Sequence, residues 1–198
     1  MGKIYYIMGK SSSGKDTIYK RLREMLPEYR TIVLYTTRPI RTGEQHGVEY
    51  FFVGEEELQR LTDEGRVIEL RAYDTKLGVW KYFTVDDEQI DLEHYHYLVI
   101  GTLQSYERLK EYFGEDVMQP IYIEVDDGER LQRALDRERS QDTPQYAEMC
   151  RRFLADSADF SEENVVRAGI ERRFYNQDLE SCIEEILDYL KENSCYLS

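Results

Sequence analysis

Short apolar runs bounded by turn residues alternate along this chain with stretches in which apolar residues recur every three or four positions. The runs predict strands, because a continuous apolar segment of this length is typical of a buried sheet. The predicted strands cover residues 4–8, 31–35, 49–53, 66–73, 78–85, 95–100 and 120–125. A turn around Asp74–Lys76 is expected to join the fourth and fifth of them.

The stretches with helical spacing predict amphipathic helices between the strands. The first runs from the loop after residue 8 to Pro27, the second ends at Gly65, and Asp127 is placed to cap a helix over residues 128–139. Two others cover residues 103–113 and the segment from Leu179 to Leu190. This alternation predicts an α/β sandwich around a mostly parallel sheet, in a single domain spanning residues 1–198.

The composition of the chain limits the kinds of molecule and surface that the protein is expected to bind. The net charge of −14 argues against a surface that binds nucleic acid or an anionic membrane. Cys150, Cys182 and Cys195 form no C-x-x-C motif, so neither a disulfide framework nor a zinc site is expected. With no apolar stretch long enough for a membrane span, we expect a cytoplasmic protein of undetermined oligomeric state.

The first candidate site is the stretch GKSSSGKDT, which follows the first predicted strand and precedes a helix. It fits the phosphate-binding pattern G-x-x-x-x-G-K-[ST] at Gly9, Gly14 and Lys15, whereas Asp16 replaces the hydroxyl residue. Loop amides and the helix N-terminus attract phosphate oxygens, and the lysine reaches the terminal phosphates. The plainer alternative is a glycine- and serine-rich turn with a solvated lysine.

A second candidate site is the segment TTRPIRTGEQHGVEYFFV, in which Arg38 and Arg41 are three residues apart and Tyr50 follows on the next strand. A guanidinium fork matches two phosphate oxygens, although surface arginines that pair with nearby glutamates would look the same. In VIEL, Glu69 places a carboxylate in an apolar strand, where it either pairs with an arginine or accepts hydrogen bonds from a ligand.

The loop, then TTRPIRTGE, EYFFV and VIEL in this order, and FYNQDLESCIEEIL near the carboxyl end, resemble guanylate kinases. The resemblance implies a P-loop nucleotide kinase fold with a monophosphate-binding region at about 36–85 and a helical lid at about 128–158. It further implies ATP-dependent phosphorylation of a nucleoside monophosphate, most simply GMP, with Mg²⁺ as cofactor. The residues then expected to bind ATP are Gly9, Lys10, Ser11, Ser12, Ser13, Gly14, Lys15, Asp16, Thr17 and Asn176.

The same resemblance assigns the acceptor and the lid. Arg38, Arg41, Tyr50 and Gly78 are expected to contact the acceptor nucleotide, and Glu69 to read its base, since a carboxylate accepts from guanine N1–H and the 2-amino group. Phosphoryl transfer depends on charge neutralisation, which the lid arginines would supply. The residues expected to be catalytic are Lys15 of the loop and, among the lid arginines, Arg137, Arg139 and Arg151. Asn176 has an alternative role as a helix N-terminal turn residue.

Departures from the family pattern keep other functions open. Leu34 replaces a small hydroxyl residue, Leu77 and Val79 flank Gly78 in place of the usual turn residues, and Ile100 and Thr102 replace two acids. A kinase with a different acceptor, or a non-catalytic binding module, is therefore an alternative. The acid gained at Asp16 is expected to hold the Mg²⁺ of ATP, or else only to favour the first turn of its helix.

Overall fold

The structure is a computed structural model that describes residues 1–75 and 78–194. Lys76 in the predicted turn, Leu77 and Cys195 lie outside the described residues. The strands are β1 (Ile4–Met8), β2 (Arg30–Thr31), β3 (Tyr35–Thr36), β4 (Phe51–Phe52), β5 (Val67–Thr75), β6 (Gly78–Val85), β7 (Tyr97–Ile100), β8 (Met118–Glu124) and β9 (Arg173–Tyr175). The helices are α1 (Lys15–Met25), α2 (Glu55–Asp63), α3 (Leu103–Phe113), α4 (Asp127–Arg139), α5 (Tyr146–Asp159), α6 (Glu162–Arg167) and α7 (Leu179–Asn193).

Five strands form a fully parallel main sheet in the order β2-β7-β1-β8-β9. The central strand β1 is buried along its whole length, as its uninterrupted apolar sequence predicts. Its register pairs Ile4 with Tyr97 on one side and with Met118 on the other. The predicted α/β class with a mostly parallel sheet is therefore confirmed.

Helices cover both faces of this sheet, because alternate residues of β1 point to opposite faces. On one face, Tyr5 and Ile7 pack with apolar residues of α1 and α7. On the other face, Tyr6 and Met8 pack with residues of α3, and α6 adds Val165. The sheet is thus the middle layer of a sandwich, and the carboxyl end of β1 leads directly into the phosphate-type loop.

A second, four-stranded sheet in the order β4-β3-β6-β5 lies within the region predicted to bind the monophosphate. The strand pairs β3–β6 and β5–β6 are antiparallel, and β3–β4 is parallel. Its small core contains Leu58 and Leu61 of α2 with Phe83 and Val85 of β6. This sheet brings Glu69 of β5 close to residues that are far away in sequence.

The prediction of one strand was wrong. Residues 31–35 do not form a single strand but connect the two sheets. β2 pairs with β7 of the main sheet, and β3 pairs with β4 and β6 of the second sheet. Between them, the Val33 amide donates to the Gln89 side chain at 2.6 Å, and the Gln89 amide donates back to the Val33 carbonyl at 3.2 Å. A distant side chain thus satisfies the backbone at the break.

The lid and the carboxyl-terminal third contain elements that periodicity did not predict. Helices α4 and α5 lie in the predicted lid, but α6 and β9 have only six and three residues, too few to show a period. Ser161 caps α6 by accepting from the Asn164 amide, and β9 extends the main sheet beside β8. Among the described residues, no helix is both long enough and apolar enough to cross a membrane.

Candidate active site

The loop between β1 and α1 has the backbone shape that its glycines make possible. Gly14 caps α1 with a backbone φ of 87°, a conformation that residues other than glycine rarely adopt. A Cβ at this position would also lie 2.3 Å from Nδ2 of Asn176. Asn176 is only 4% exposed and its amide donates to the Ser13 carbonyl at 2.8 Å. Gly14 is therefore required both for the turn and for the close approach of Asn176.

Asn176 is thus placed beside the loop, where it supports the loop backbone. It also lines a cavity of about 540 Å³, which we call the lid cavity, together with Ser12, Gly14, Asp16, Thr17, Arg133, Arg137, Gln177, Asp178 and Leu179. The expected contact between Asn176 and a nucleotide stays a prediction. The hydroxyls of Ser12 and Ser13 are buried and have no hydrogen-bond partner among the described residues, so both are available as donors.

Lys15 and Asp16 begin helix α1 and form an exposed ion pair, with Nζ 3.2 Å from Oδ2. Both also line a second cavity of about 440 Å³, which we call the aromatic cavity; its other lining residues are Leu34, Tyr50, Arg71, Tyr73, Trp80, Tyr82, Ile100, Gly101 and Thr102. Asp16 lines the lid cavity as well. The start of α1 therefore lies between two neighbouring cavities, with the Asp16 carboxylate lining both and the Lys15 ammonium group lining the aromatic cavity.

The two predicted acceptor arginines have different surroundings. Arg38 is 4% exposed and its fork donates to both oxygens of Glu44, at 2.7 and 2.5 Å. This contact lowers the pKa of Glu44 to about 2. Arg41 is exposed, and its guanidinium lies 5.7 Å from the ring centre of Trp80 at the aromatic cavity. No sequence pattern indicated this role of Glu44, although the residue lies three positions after Arg41.

Tyr50 and Gly78 complete the predicted acceptor set. Tyr50 lines the aromatic cavity, its ring 5.5 Å from Tyr82 and 5.1 Å from the Arg38 guanidinium. Gly78 is exposed at the start of β6 with φ 111°, and a Cβ there would meet nothing within 4 Å. It lies outside the set of residues that line the aromatic cavity, so the structure does not group it with Tyr50.

Glu69, predicted to read a base, lies in a buried polar network. Its carboxylate accepts from the hydroxyls of Thr84 at 2.9 Å and Ser105 at 3.2 Å. Arg71 donates from Nε at 3.0 Å and from Nη2 at 3.3 Å. The Glu69 side chain is 1% exposed and that of Arg71 is 12% exposed. Of the two roles expected for a carboxylate in this strand, the structure shows the ion pair with an arginine, and Arg71 is the partner.

The lid arginines are not brought together. Arg137 lines the lid cavity, whereas Arg139 lies 3.7 Å from Asp136 and Arg151 lies 2.7 Å from Glu148, both on exposed surface. Arg133, ranked below these three from sequence, lines the lid cavity and donates to the Asn176 carbonyl at 3.2 Å. In this arrangement Arg133 and Arg137 face the loop, while catalytic roles for Arg139 and Arg151 stay predictions.

Two residues missed by the sequence analysis connect the lid to the loop. Asp156 of α5 accepts a hydrogen bond from the Ser11 backbone amide at 2.6 Å. Arg130 of α4 is 1% exposed, donates to the Ser11 carbonyl at 3.1 Å, and forms an ion pair with Asp127. The sequence carried no signal for either role, because both residues occupy ordinary polar positions of amphipathic helices.

Comparisons with known proteins identify the family that this chain resembles. A guanylate kinase family model matches residues 1–193. The chain is similar to guanylate kinases of Legionella pneumophila strain Lens, at 43% identity over 68 residues, and Oleidesulfovibrio alaskensis, at 47% over 64 residues. These matches cover 34% and 32% of this chain and 32% and 31% of those proteins, so the chain is matched to about a third of the length of these curated relatives.

The fold has a counterpart among solved structures. A crystal structure of guanylate kinase from Anaplasma phagocytophilum matches with a TM-score of 0.64 and 19% identity, over 99% of this chain and 88% of that chain. At this identity the match supports the fold, and the family assignment rests on the family model, which spans nearly the whole sequence. The chain belongs to the guanylate kinase family.

Proposed function

We propose that this protein transfers a phosphoryl group from ATP to a nucleoside monophosphate, converting GMP to GDP. The observation that carries the proposal is the start of α1, where Asp16 lines both the lid cavity and the aromatic cavity and Lys15 beside it lines the aromatic cavity. A kinase of this type must hold two nucleotides with their phosphates adjacent, and a group at the boundary can contact both. Membership of the guanylate kinase family supports GMP as the acceptor.

The donor nucleotide would occupy the lid cavity. Its phosphates would lie on the loop amides at the positive end of α1, with Lys15 reaching the terminal phosphate. Arg133 and Arg137 line the same cavity and would neutralise charge that spreads over the transferred group. The net charge of −14 makes this local clustering of cations necessary, because the protein as a whole repels anions.

The acceptor would occupy the aromatic cavity. Tyr73 and Tyr50 pack edge-on against Tyr82 at 5.8 and 5.5 Å, and Trp80 lines the same wall, so flat apolar surfaces are available for a base. The Arg41 guanidinium lies beside Trp80 and is exposed, and it would bind the acceptor phosphate. Arg38, held by Glu44, would support the phosphate site next to Tyr50, or exchange Glu44 for the phosphate when the acceptor binds.

Magnesium fits this site only if the nucleotide supplies most of its ligands. Among the described residues, no group of three or more His, Cys, Asp or Glu side chains is arranged to hold a metal ion. Mg²⁺ prefers oxygen ligands and keeps several waters, so a single carboxylate beside the ATP phosphates is sufficient. Asp16, 83% exposed at the cavity boundary, would be that carboxylate. When bound, Mg²⁺ would neutralise phosphate charge during transfer.

The test is an ATP-coupled assay across GMP, dGMP, AMP, CMP and UMP, with Lys15→Met as the inactivating variant. We expect GMP to give the highest kcat/KM and Lys15→Met to lower kcat by about a hundredfold or more, because an oriented cation is lost where charge develops. Lys20→Met is the matched control, since Lys20 lies on the exposed side of the same helix.

Several outcomes would contradict the proposal. If ATP binds but no monophosphate is phosphorylated, the protein is a nucleotide-binding module and the kinase assignment fails. A wild-type preference for CMP or UMP would retain the kinase and overturn the choice of guanine. Full activity in Lys15→Met would mean that the loop is not the catalytic phosphate site.

A further inference from the structure

The aromatic cavity contains a guanidinium group whose role the proposed function does not explain. Arg71 of β5 points one side of its fork at Glu69 and lines the aromatic cavity, with its side chain 12% exposed. We propose that Arg71 reads the acceptor base by donating hydrogen bonds to two adjacent acceptor atoms, O6 and N7 of guanine. This inference rests on the proposed function and specifies how the same site selects its substrate.

Glu69 has no acceptor capacity left for a base. An ionised carboxylate has about four lone-pair sites on its two oxygens. Four donors already reach it: the hydroxyls of Thr84 and Ser105, and two nitrogens of Arg71. Because the side chain is also 1% exposed, guanine N1–H and the 2-amino group could reach Glu69 only by displacing these contacts.

Arg71, by contrast, keeps hydrogen-bond donors available. A guanidinium carries five N–H donors in a rigid plane. Nε and Nη2 hold Glu69, whereas Nη1 has no hydrogen-bond partner among residues 1–75 and 78–194. The two terminal nitrogens form the second edge of the fork. Glu69 holds the plane in place, so this edge is oriented before a ligand binds.

The hydrogen-bonding groups of guanine match these donors. A pair of parallel N–H donors requires two neighbouring acceptors in one plane, and guanine presents O6 and N7 in this way. Adenine presents N7 beside an amino donor, which opposes the fork. Cytosine also has two adjacent acceptors, O2 and N3, so it is the competing ligand that an experiment must exclude. The aromatic rings of the cavity would hold the base in the plane of the fork.

Analogues of GMP distinguish Arg71 from Glu69 as the base reader. IMP lacks only the 2-amino group, and 7-deaza-GMP lacks only the N7 acceptor. We expect the wild type to bind and phosphorylate IMP within about threefold of GMP. Binding and phosphorylation of 7-deaza-GMP should be weaker than those of GMP by about tenfold or more, because one partner of a bidentate contact is lost. Dissociation constants can be followed by the fluorescence of Trp80, since the chain contains one tryptophan and it lines this cavity.

The opposite order, with 7-deaza-GMP accepted and IMP rejected by about tenfold, would assign base reading to Glu69 and overturn the inference, while the proposed function would stand. Preference for CMP would also overturn it, because the fork would then read O2 and N3. Failure of GMP itself to bind or react would remove the proposed function, and this inference with it.

Variants provide a second, independent measurement. Arg71→Met should weaken the binding of GMP, so that GMP and 7-deaza-GMP bind equally well. The KM for ATP should stay unchanged. This change leaves the buried Glu69 carboxylate with fewer partners, so the double variant Glu69→Gln/Arg71→Met is tested as well. It should also bind GMP and 7-deaza-GMP equally well. Arg66→Met, just before β5 and outside the cavity, is the control. If a folded variant still bound GMP more tightly than 7-deaza-GMP by the wild-type factor, Arg71 would be excluded as the residue that recognises the base.

Discussion

Asp16 shows how much a single residue can change a phosphate-binding loop. It takes the place of a hydroxyl residue directly after Lys15 and lies in the first turn of α1, where an acid also interacts favourably with the helix dipole. Its ion pair with Lys15 is too exposed to contribute much stability. Without a cation, the carboxylate would repel bound phosphates, so its position at the boundary of both cavities favours a role beside Mg²⁺.

The Asp16→Ala variant tests that role. If the carboxylate helps to hold Mg²⁺, the variant needs a higher free Mg²⁺ concentration for half-maximal activity, and ATP raises its Tm less at a given Mg²⁺ concentration. Glu24→Ala, on the exposed side of the same helix, is the control for a change of charge. An unchanged Mg²⁺ dependence, with only a small loss of stability, would leave the helix-dipole role as the sole function of Asp16.

At the scale of elements, the lid helices are already attached to the phosphate loop. Asp156 of α5 occupies the Ser11 amide, and Arg130 of α4 holds the Ser11 carbonyl. A carboxylate on a loop amide takes the kind of position that a phosphate oxygen would use. The Arg130 guanidinium lies 3.6 Å from Asp156, so the two lid helices and the loop form one connected group.

This contact predicts that Asp156 opposes nucleotide binding. Asp156→Asn keeps an acceptor for the Ser11 amide but removes the negative charge near the ATP phosphates, so the KM for ATP should fall about fivefold, equivalent to about 1 kcal/mol. Asp136→Asn, exposed on the lid helix α4 and outside the cavities, is the matched control. A raised KM in Asp156→Asn would mean instead that the carboxylate prepares the loop for ATP.

At the scale of the whole molecule, the loop is held in place by the packing of α1 on the main sheet. Ile18 and Leu22 are fully buried against Tyr5 and Ile7 of β1, and α7 packs beside them. The same layer therefore supports the strand before the loop and the helix after it. Loss of packing here should reduce the free energy of unfolding of the entire domain.

Leu22→Ala tests this packing. Removing a fully buried leucine side chain leaves a cavity, and the free energy of unfolding should fall by about 2–5 kcal/mol. Met25→Ala is the control on the same helix, because Met25 is 46% exposed and its loss should cost well under half as much. Urea denaturation of both variants measures the difference, and equal losses would contradict the burial of Leu22.

The sequence alone determined the parts of this protein that depend on neighbouring residues. The apolar run of β1, the glycines and Lys15 of the loop, and the amphipathic helix that follows were all predicted, because strand, turn and helix signals act over a few positions. The α/β class followed from the alternation of these elements. The motifs around Arg38 and Glu69 also predicted a second region of the candidate site, although not the partners of either residue.

Only the tertiary structure decided how distant residues share the polar groups of the site. Glu69 meets Thr84 and Ser105 through β6 and α3, Asp156 reaches Ser11 across 145 positions, and Gln89 divides a predicted strand at Val33. No local pattern encodes such contacts, since each is a hydrogen bond that forms when separate elements pack and buried polar groups must be satisfied. For the same reason, the sequence could place a carboxylate at Glu69, but only the fold showed that Arg71 holds it and lines the cavity.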